Sequence, residues 1–237
     1  MAVTPQNNEA FFREVDEELR RDRAQRVWKQ WGVWIVAGVL AALAAFGGWM
    51  FWQNRQTQQA GVEGEQLQAA YDSLAAGNAA AAAAPLSTLT KSDSEAYKAL
   101  AIFTQADILL QKQDLKGAAA KFASVAADRS MPQPFRDLAL VRQTAAEFDT
   151  VRPQVVIDRL RPLAVPGGAW LGSAGELIAA AYLKLGRRAE AGQMFGRVAR
   201  DKDVPETIRQ RAVQMAGVLG VDATPPAGGA TQGPTIR

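Results

Sequence analysis

Apolar and polar positions divide the chain into three regimes. From Gln30 to Asn54 no residue is charged, and the centre of this run, Trp31–Trp52, reads WGVWIVAGVLAALAAFGGWMFW. A helix of that length rises about 33 Å, enough to cross a hydrocarbon core of about 30 Å. Before the run, Phe11, Phe12, Val15 and Leu19 recur at helical spacing with charges between them. Residues 9–29 therefore predict an amphipathic helix on a membrane surface or a partner, or else a mostly solvated juxtamembrane helix. After the run, Ala, Leu, Gln, Glu, Lys and Arg fill long stretches with little β-branched alternation, which predicts an all-α remainder. Gly and Pro separate helices predicted at 57–76, 79–89, 94–112, 115–128, 133–148, 152–162, 169–185, 188–200 and 204–219. The stretch 222–237, DATPPAGGATQGPTIR, has little to bury and predicts a disordered tail.

The charge-free run reads best as an uncleaved membrane anchor. Gly32, Gly38, Gly47 and Gly48 would weaken a helix in water but are tolerated in lipid, where an unpaired backbone costs more. Trp28, Trp31 and Trp34 flank one end and Trp49 and Trp52 the other, a double aromatic belt. A cleaved signal is the rival, but about thirty residues precede the run, and the run itself exceeds the usual apolar length of about 7–15. Arg20, Arg21, Arg23, Arg26 and Lys29 precede the span, whereas only Arg55 follows closely. That asymmetry places the N-terminus in the cytoplasm and the larger part across the membrane, in the periplasm of a Gram-negative cell. Ala37, Ala41 and Ala45 form one small-residue stripe, open either to a helix partner or to lipid alone.

The outer helices carry a repeat. Gly77-x4-Ala82-x3-Leu86, Gln113-x4-Ala118-x3-Phe122, a degenerate Val151-x4-Val156-x3-Leu160, and Gly186-x4-Ala191-x3-Phe195 share one spacing, with Tyr182 ahead of the last. The large residues recur about every 36 positions, near the tetratricopeptide period of about 34. A small residue lets the second helix approach the first, and the apolar residue one turn later fills the groove. Glycine at the turn supplies the left-handed backbone that ends the first helix. Such pairs stack into a solenoid, with helix 204–219 as its cap.

Composition narrows the chemistry. The 237 residues contain no Cys and no His. Disulfides, thiolate nucleophiles, Cys/His zinc sites and imidazole catalysis are thereby excluded. No phosphate-binding loop, dinucleotide fingerprint or nucleophile elbow occurs, and Leu171-Gly-Ser-Ala-Gly175 lacks the first glycine of the last. No catalytic, cofactor or metal residue is assigned, and an enzyme is not expected. Net charge is only +3, and the basic residues 152, 159, 161, 184, 187, 188, 197 and 200 have few aromatics among them, so nucleic acid is not implied. They read as a solvated face, or as a face for an acidic protein or anionic lipid. Trp170, in Pro166-Gly-Gly-Ala-Trp170, is the one tryptophan far from the span. It is a candidate partner contact, with a wedge between helix pairs as the alternative.

The order of features resembles the YfgM family. The residues that carry the resemblance are a short charged segment and a span ending Gly48-Trp49-x-x-Trp52-Gln53-Asn54. An alanine- and glutamine-rich helix with Tyr71 and Ala99-Leu-Ala101 follow. Leu115-Lys-Gly-Ala-Ala-Ala-Lys121, the Gly168-Ala-Trp170 turn, and Gly186-x4-Ala191 followed by Val204-Pro205 complete the set. The resemblance covers roughly residues 9–219. It implies a tetratricopeptide-like ancillary subunit of the Sec translocon in the bacterial inner membrane. Its implied partners are the translocon, a membrane-anchored periplasmic chaperone of the PpiD type, and exported client proteins, with membrane lipid around the span. The family brings no catalytic residues and no cofactor.

The expected organisation is therefore a cytoplasmic segment 1–30, a span 31–52, a tetratricopeptide-like helical repeat domain 53–221 and a tail 222–237. The expected function is a single-pass adaptor that helps pass exported chains to periplasmic chaperones. An envelope or division assembly scaffold, or a tethered regulator that binds a cytoplasmic partner through residues 9–29, are the alternatives.

Overall fold

The computed structural model describes residues 6–223, with side chains from Lys29 onward except Gln30 and Ile35. These residues form helices α1 (Gln6–Ala75), α2 (Ala79–Leu89), α3 (Glu95–Gln111), α4 (Leu115–Ala127), α5 (Gln133–Ala146), α6 (Pro153–Leu160), α7 (Leu171–Lys184), α8 (Arg188–Arg200) and α9 (Glu206–Val218). No strand occurs among the described residues. The all-α architecture expected from the sequence is the one observed.

The first difference lies in α1. Three helical stretches were expected at 9–29, 31–52 and 57–76; one helix runs through all of them. The composition changes at Trp52, but Gln53-Asn-Arg-Gln-Thr57 contains neither proline nor an N-cap that bonds a free amide. Thr57 Oγ1 instead donates back to the Gln53 carbonyl at 3.0 Å, inside the helix. Gly61 and Gly64 cost about 1 kcal/mol each without breaking it.

The chain divides into two compact units, residues 1–61 and 62–237, and α1 contributes to both. In the first, α1 is the one helix among the described residues long and apolar enough to cross a membrane, and its apolar window is not buried. Trp31, Trp34, Trp49 and Trp52 all stand exposed. The Phe46 and Trp49 rings lie 6.2 Å apart, and the Arg55 guanidinium sits 5.1 Å over Phe51. Lys29 is exposed; the side chains of Trp28, Arg20, Arg21, Arg23 and Arg26, and those of Phe11, Phe12, Val15 and Leu19, lie outside the described residues.

The second unit is a stack of helix pairs: the end of α1 with α2, then α3 with α4, α5 with α6, and α7 with α8, closed by α9 against α8. Three of the four pairs turn on the expected register position. Gly77, Gln113 and Gly186 all have positive φ, at 74°, 61° and 72°. At each, the next amide reaches back five residues: Asn78 to Ser73 at 2.8 Å, Asp114 to Leu109 at 2.9 Å, Arg187 to Tyr182 at 2.9 Å. This bonding ends the first helix and satisfies its orphan carbonyls. The second helix starts at once. Asn78 Oδ1 accepts from the Ala81 amide at 3.1 Å, and Asp114 Oδ1 from the Gly117 amide at 2.8 Å. Val151 has no left-handed backbone, so the degenerate copy turns by a different route.

Packing follows the same register. Ala82, Leu86, Ala118, Phe122, Val156, Leu160 and Ala191 are fully enclosed and Phe195 nearly so. Tyr182 is half-buried with the Arg187 guanidinium 4.7 Å over its ring. Three clusters form along the stack. Leu67 and Ala70 meet Leu86 and Leu89; Phe103 meets Phe122 and Phe135; Val156 and Leu160 join Ile178, Phe195 and Val198. Helix α5 joins the second cluster through Ala139 and the third through Val141. The degenerate pair is also the polar one. Thr144 is fully buried on α5, its hydroxyl donates to the Leu140 carbonyl at 2.7 Å, and Arg159 of α6 pairs with Glu147 at 2.6 Å.

Glycines set the tightest approaches. A methyl on Gly175 would lie 2.6 Å from Val198 Cγ2, and one on Gly192 would lie 2.8 Å from Val221 Cγ2. The latter belongs to a short extension: after α9 the chain turns at Gly220 (φ 80°) and returns across α8. Ala223 is buried, and Arg200 Nη2 donates to the Asp222 carbonyl at 3.0 Å. Residues 222 and 223, assigned to a disordered tail by composition, thus pack on the stack; the rest of 222–237 lies outside the described residues.

Two substitutions test these contacts. Gln113→Gly removes the strain of a side chain at positive φ and should raise stability by about 0.5–1 kcal/mol. Gly175→Ala should lower it by about 1–3 kcal/mol through overpacking against Val198. Urea unfolding followed by circular dichroism reads both; no gain for the first would show that Gln113 carries no strain.

Candidate functional site

The distinctive geometry of this chain is repetitive. Among the described residues, no group of three acidic side chains is placed to hold a metal ion. An open cleft beside α9 is lined by Ala199, Glu206, Arg209, Gln210, Val213 and Gln214, and Arg209 is neutralised there by Glu206. The candidate site is therefore the surface of the stack, built from three repeating devices.

The first is a row of ion pairs between successive first helices of the pairs. Asp107 of α3 binds Arg142 of α5, Asp149 after α5 binds Lys184 of α7 at 2.6 Å, and Glu176 of α7 binds Arg211 of α9 through two bonds of 2.7 and 2.6 Å. Each joins residues 35 apart. Hydrogen bonding to the Glu176 carboxylate raises the Arg211 pKa, with the charge of Glu176 adding to it. Arg142 also lies 4.7 Å over the Phe122 ring, and Lys184 4.4 Å over Phe148. Exposed pairs contribute only about 0–1 kcal/mol each, so their role is to hold neighbouring pairs in register.

The second device closes two of the returns between pairs. Asp128 ends α4 and Asp201 ends α8; each is followed by a buried apolar residue, Met131 or Val204, and then Pro132 or Pro205. Asp128 Oδ1 accepts from the Ser130 amide at 2.9 Å and from its hydroxyl at 2.7 Å. Asp201 Oδ1 accepts from the Asp203 amide at 2.9 Å, and Oδ2 from the Gly167 amide at 2.8 Å. Hydrogen bonds to Ser130, then to Lys98, lower the Asp128 pKa, and bonds from Gly167 and Asp203 lower that of Asp201. Neither carboxylate was singled out from the sequence. The available signal was the recurrence of Asp-x-x-(Met/Val)-Pro two repeats apart.

The Asp201 bond also pins the loop that carries Trp170. Gly167 adopts φ 70°, Gly168 accepts from the Leu171 amide at 3.1 Å, and the Trp170 carbonyl accepts from the Ala174 amide at 2.8 Å. Trp170 stands half-buried at the start of α7. The third device is the opposite edge, where the turns within pairs lie. Leu115 and Leu185 are 42% and 40% exposed there, beside Lys112, Lys116, Arg152 and Arg188. The eight basic residues read as one cluster are thus dispersed: Arg159, Arg161, Lys184 and Arg187 are ion-paired, and Arg200 holds the Asp222 carbonyl.

The profile of the tetratricopeptide repeat-like domain family covers residues 25–216. No curated protein and no solved structure matches the chain.

The depressed Asp201 pKa fixes a pH dependence. Its carboxylate stabilises the folded state fully above the unfolded aspartate pKa of about 3.9, and the contribution is lost as pH falls through the lower folded value. Asp201→Asn keeps an acceptor but removes the titration. The substituted protein should lose less stability than the native chain between pH 5 and pH 3, read as the urea midpoint at each pH. An equally steep fall in both would remove Asp201 from the acid response.

Proposed function

The chain belongs to the tetratricopeptide repeat-like domain family, and on that premise we propose that it is a single-pass adaptor of the bacterial inner membrane that receives exported proteins at the Sec translocon and passes them to periplasmic chaperones. The fold is a protein-interaction fold, which supports the adaptor role. The observation that carries the proposal is α1, whose uncovered apolar stretch leads into the first helix of the repeat stack. Residues 31–52 are the span in this reading, 1–30 the cytoplasmic segment and 53–221 the working domain.

Tethering explains how shallow surfaces suffice. An anchored domain meets a neighbouring translocon at a high effective concentration, so weak contacts act without a deep pocket. The orientation rests on Arg20, Arg21, Arg23, Arg26 and Lys29 before the span against Arg55 alone after it. The Sec translocon and a PpiD-type chaperone are the partners that the YfgM resemblance supplies; Trp170 is the candidate partner contact.

Two measurements test this. A reporter active only in the periplasm, fused after Arg237, should be active. Crosslinking in intact cells should then recover Sec subunits and a periplasmic chaperone. A silent reporter contradicts the orientation. Recovery of division or cell-wall proteins instead of Sec subunits would move the reading to an assembly scaffold.

A further inference from the structure

We infer that the edge formed by the turns within helix pairs is a docking strip for an acidic, leucine-bearing stretch of extended polypeptide. The inference deepens the adaptor reading and rests on it. Antiparallel pairs stacked side by side bring these turns to one edge and the returns between pairs to the other.

The two edges differ in their charge balance. On the turn edge, every nearby carboxylate is committed: Asp114 caps α4, Asp149 holds Lys184, and Glu190 holds Arg187. Hydrogen bonding from Arg187 keeps Glu190 ionised well below its ordinary range. The cations Lys112, Lys116, Arg152 and Arg188 are exposed, and among the described residues their side chains have no hydrogen-bond or ion-pair partner. On the opposite edge, exposed Lys91, Arg129 and Lys202 are offset by exposed Asp93, Glu95 and Asp203. Only the first edge therefore carries more cations than carboxylates: Asp114 stands between Lys112 and Lys116, while Arg152 and Arg188 have no ion-pair partner among the described residues.

Spacing defines the partner. Lys116, Arg152 and Arg188 recur 36 residues apart, one for each successive pair. Each follows the end of a first helix (α3, α5 or α7) by four to six residues, and these first helices, which touch their neighbours, pack about 8–10 Å apart. An extended chain covers that distance in about three residues. Carboxylates at every third position would thus meet one cation per pair, and apolar residues between them would meet Leu115 and Leu185. Cations at three successive pairs, with an exposed leucine at two of them, suit such a chain. Anionic lipid is instead met by several basic residues clustered next to a span. Lys116 and Arg188 lie in the first turns of α4 and α8, where Asp114 and Glu190 offset the unfavourable helix dipole, but Arg152 caps α6 with no carboxylate in its first turn.

The test uses the full chain in non-ionic detergent and fluorescence anisotropy. The probe is a labelled twelve-residue peptide with Glu at every third position and Leu between; its control carries Lys in place of Glu. The acidic peptide should bind, and added salt should weaken it. Binding should fall about tenfold or more when Lys112→Glu, Lys116→Glu, Arg152→Glu and Arg188→Glu are combined. The same four positions changed to Gln should give an intermediate loss, and this milder variant decides the matter should the first fail to fold. Equal binding of both peptides, or no loss in the folded variants, overturns the strip. So does binding confined to phosphatidylglycerol vesicles. If the Gln variant still crosslinks its partners in cells as the native chain does, the strip falls and the adaptor stands. If the native chain crosslinks to none, the adaptor itself falls.

Discussion

The stack depends on a small side chain buried at the start of each second helix. Ala82, Ala118, Val156 and Ala191 occupy this place and all are fully enclosed. Their size sets how closely the two helices of a pair approach, and therefore whether Leu86, Phe122, Leu160 and Phe195 one turn later are covered or left in water. Other recurrent features serve that approach. A left-handed residue at 77, 113 or 186 stops the first helix at the right height, and Asn78 or Asp114 starts the second without a gap.

Because burial is passed from each pair to the next, the domain has several linked cores rather than one. The ion pairs 35 residues apart tie neighbours together on the outside, while α5 shares its two faces between adjacent clusters. The seam falls where the repeat degenerates. Val156 stands where the other copies have alanine, α6 has only eight residues, and a buried threonine and the Glu147–Arg159 pair stand beside the apolar contact of Val141 with the cluster. An array built this way offers extended edges, and the repeat fold is one that binds other proteins.

Much of this is written in short-range pattern. Helices α2 to α9 lie within a few residues of where Gly, Pro and capping residues separate apolar periodicities, and the Ala-x-x-x-Leu/Phe register selects residues that are buried. The continuity of α1 was hidden because a change of composition at Trp52 resembles a boundary, although nothing there stops a helix. Gln113 was legible only by register, since its side chain gives no hint of positive φ. The ion-pair row and the Asp201–Gly167 bond join residues over thirty positions apart, beyond the reach of periodicity. Ala223 is buried although its stretch is rich in Pro and Gly, because Val221 just before it seats on Gly192 and Gly196 and brings the chain back onto α8. The turn edge needed the fold itself, which separates paired from unpaired cations within one basic composition.

The central claim is that stability passes from pair to pair and is weakest between α5 and α6. Native-state hydrogen exchange across the second unit tests it most directly. The account predicts separate opening events, with amides of α6 exchanging well before those of α4 and α8. Equal protection of all three helices, lost together in a single global opening, would contradict it.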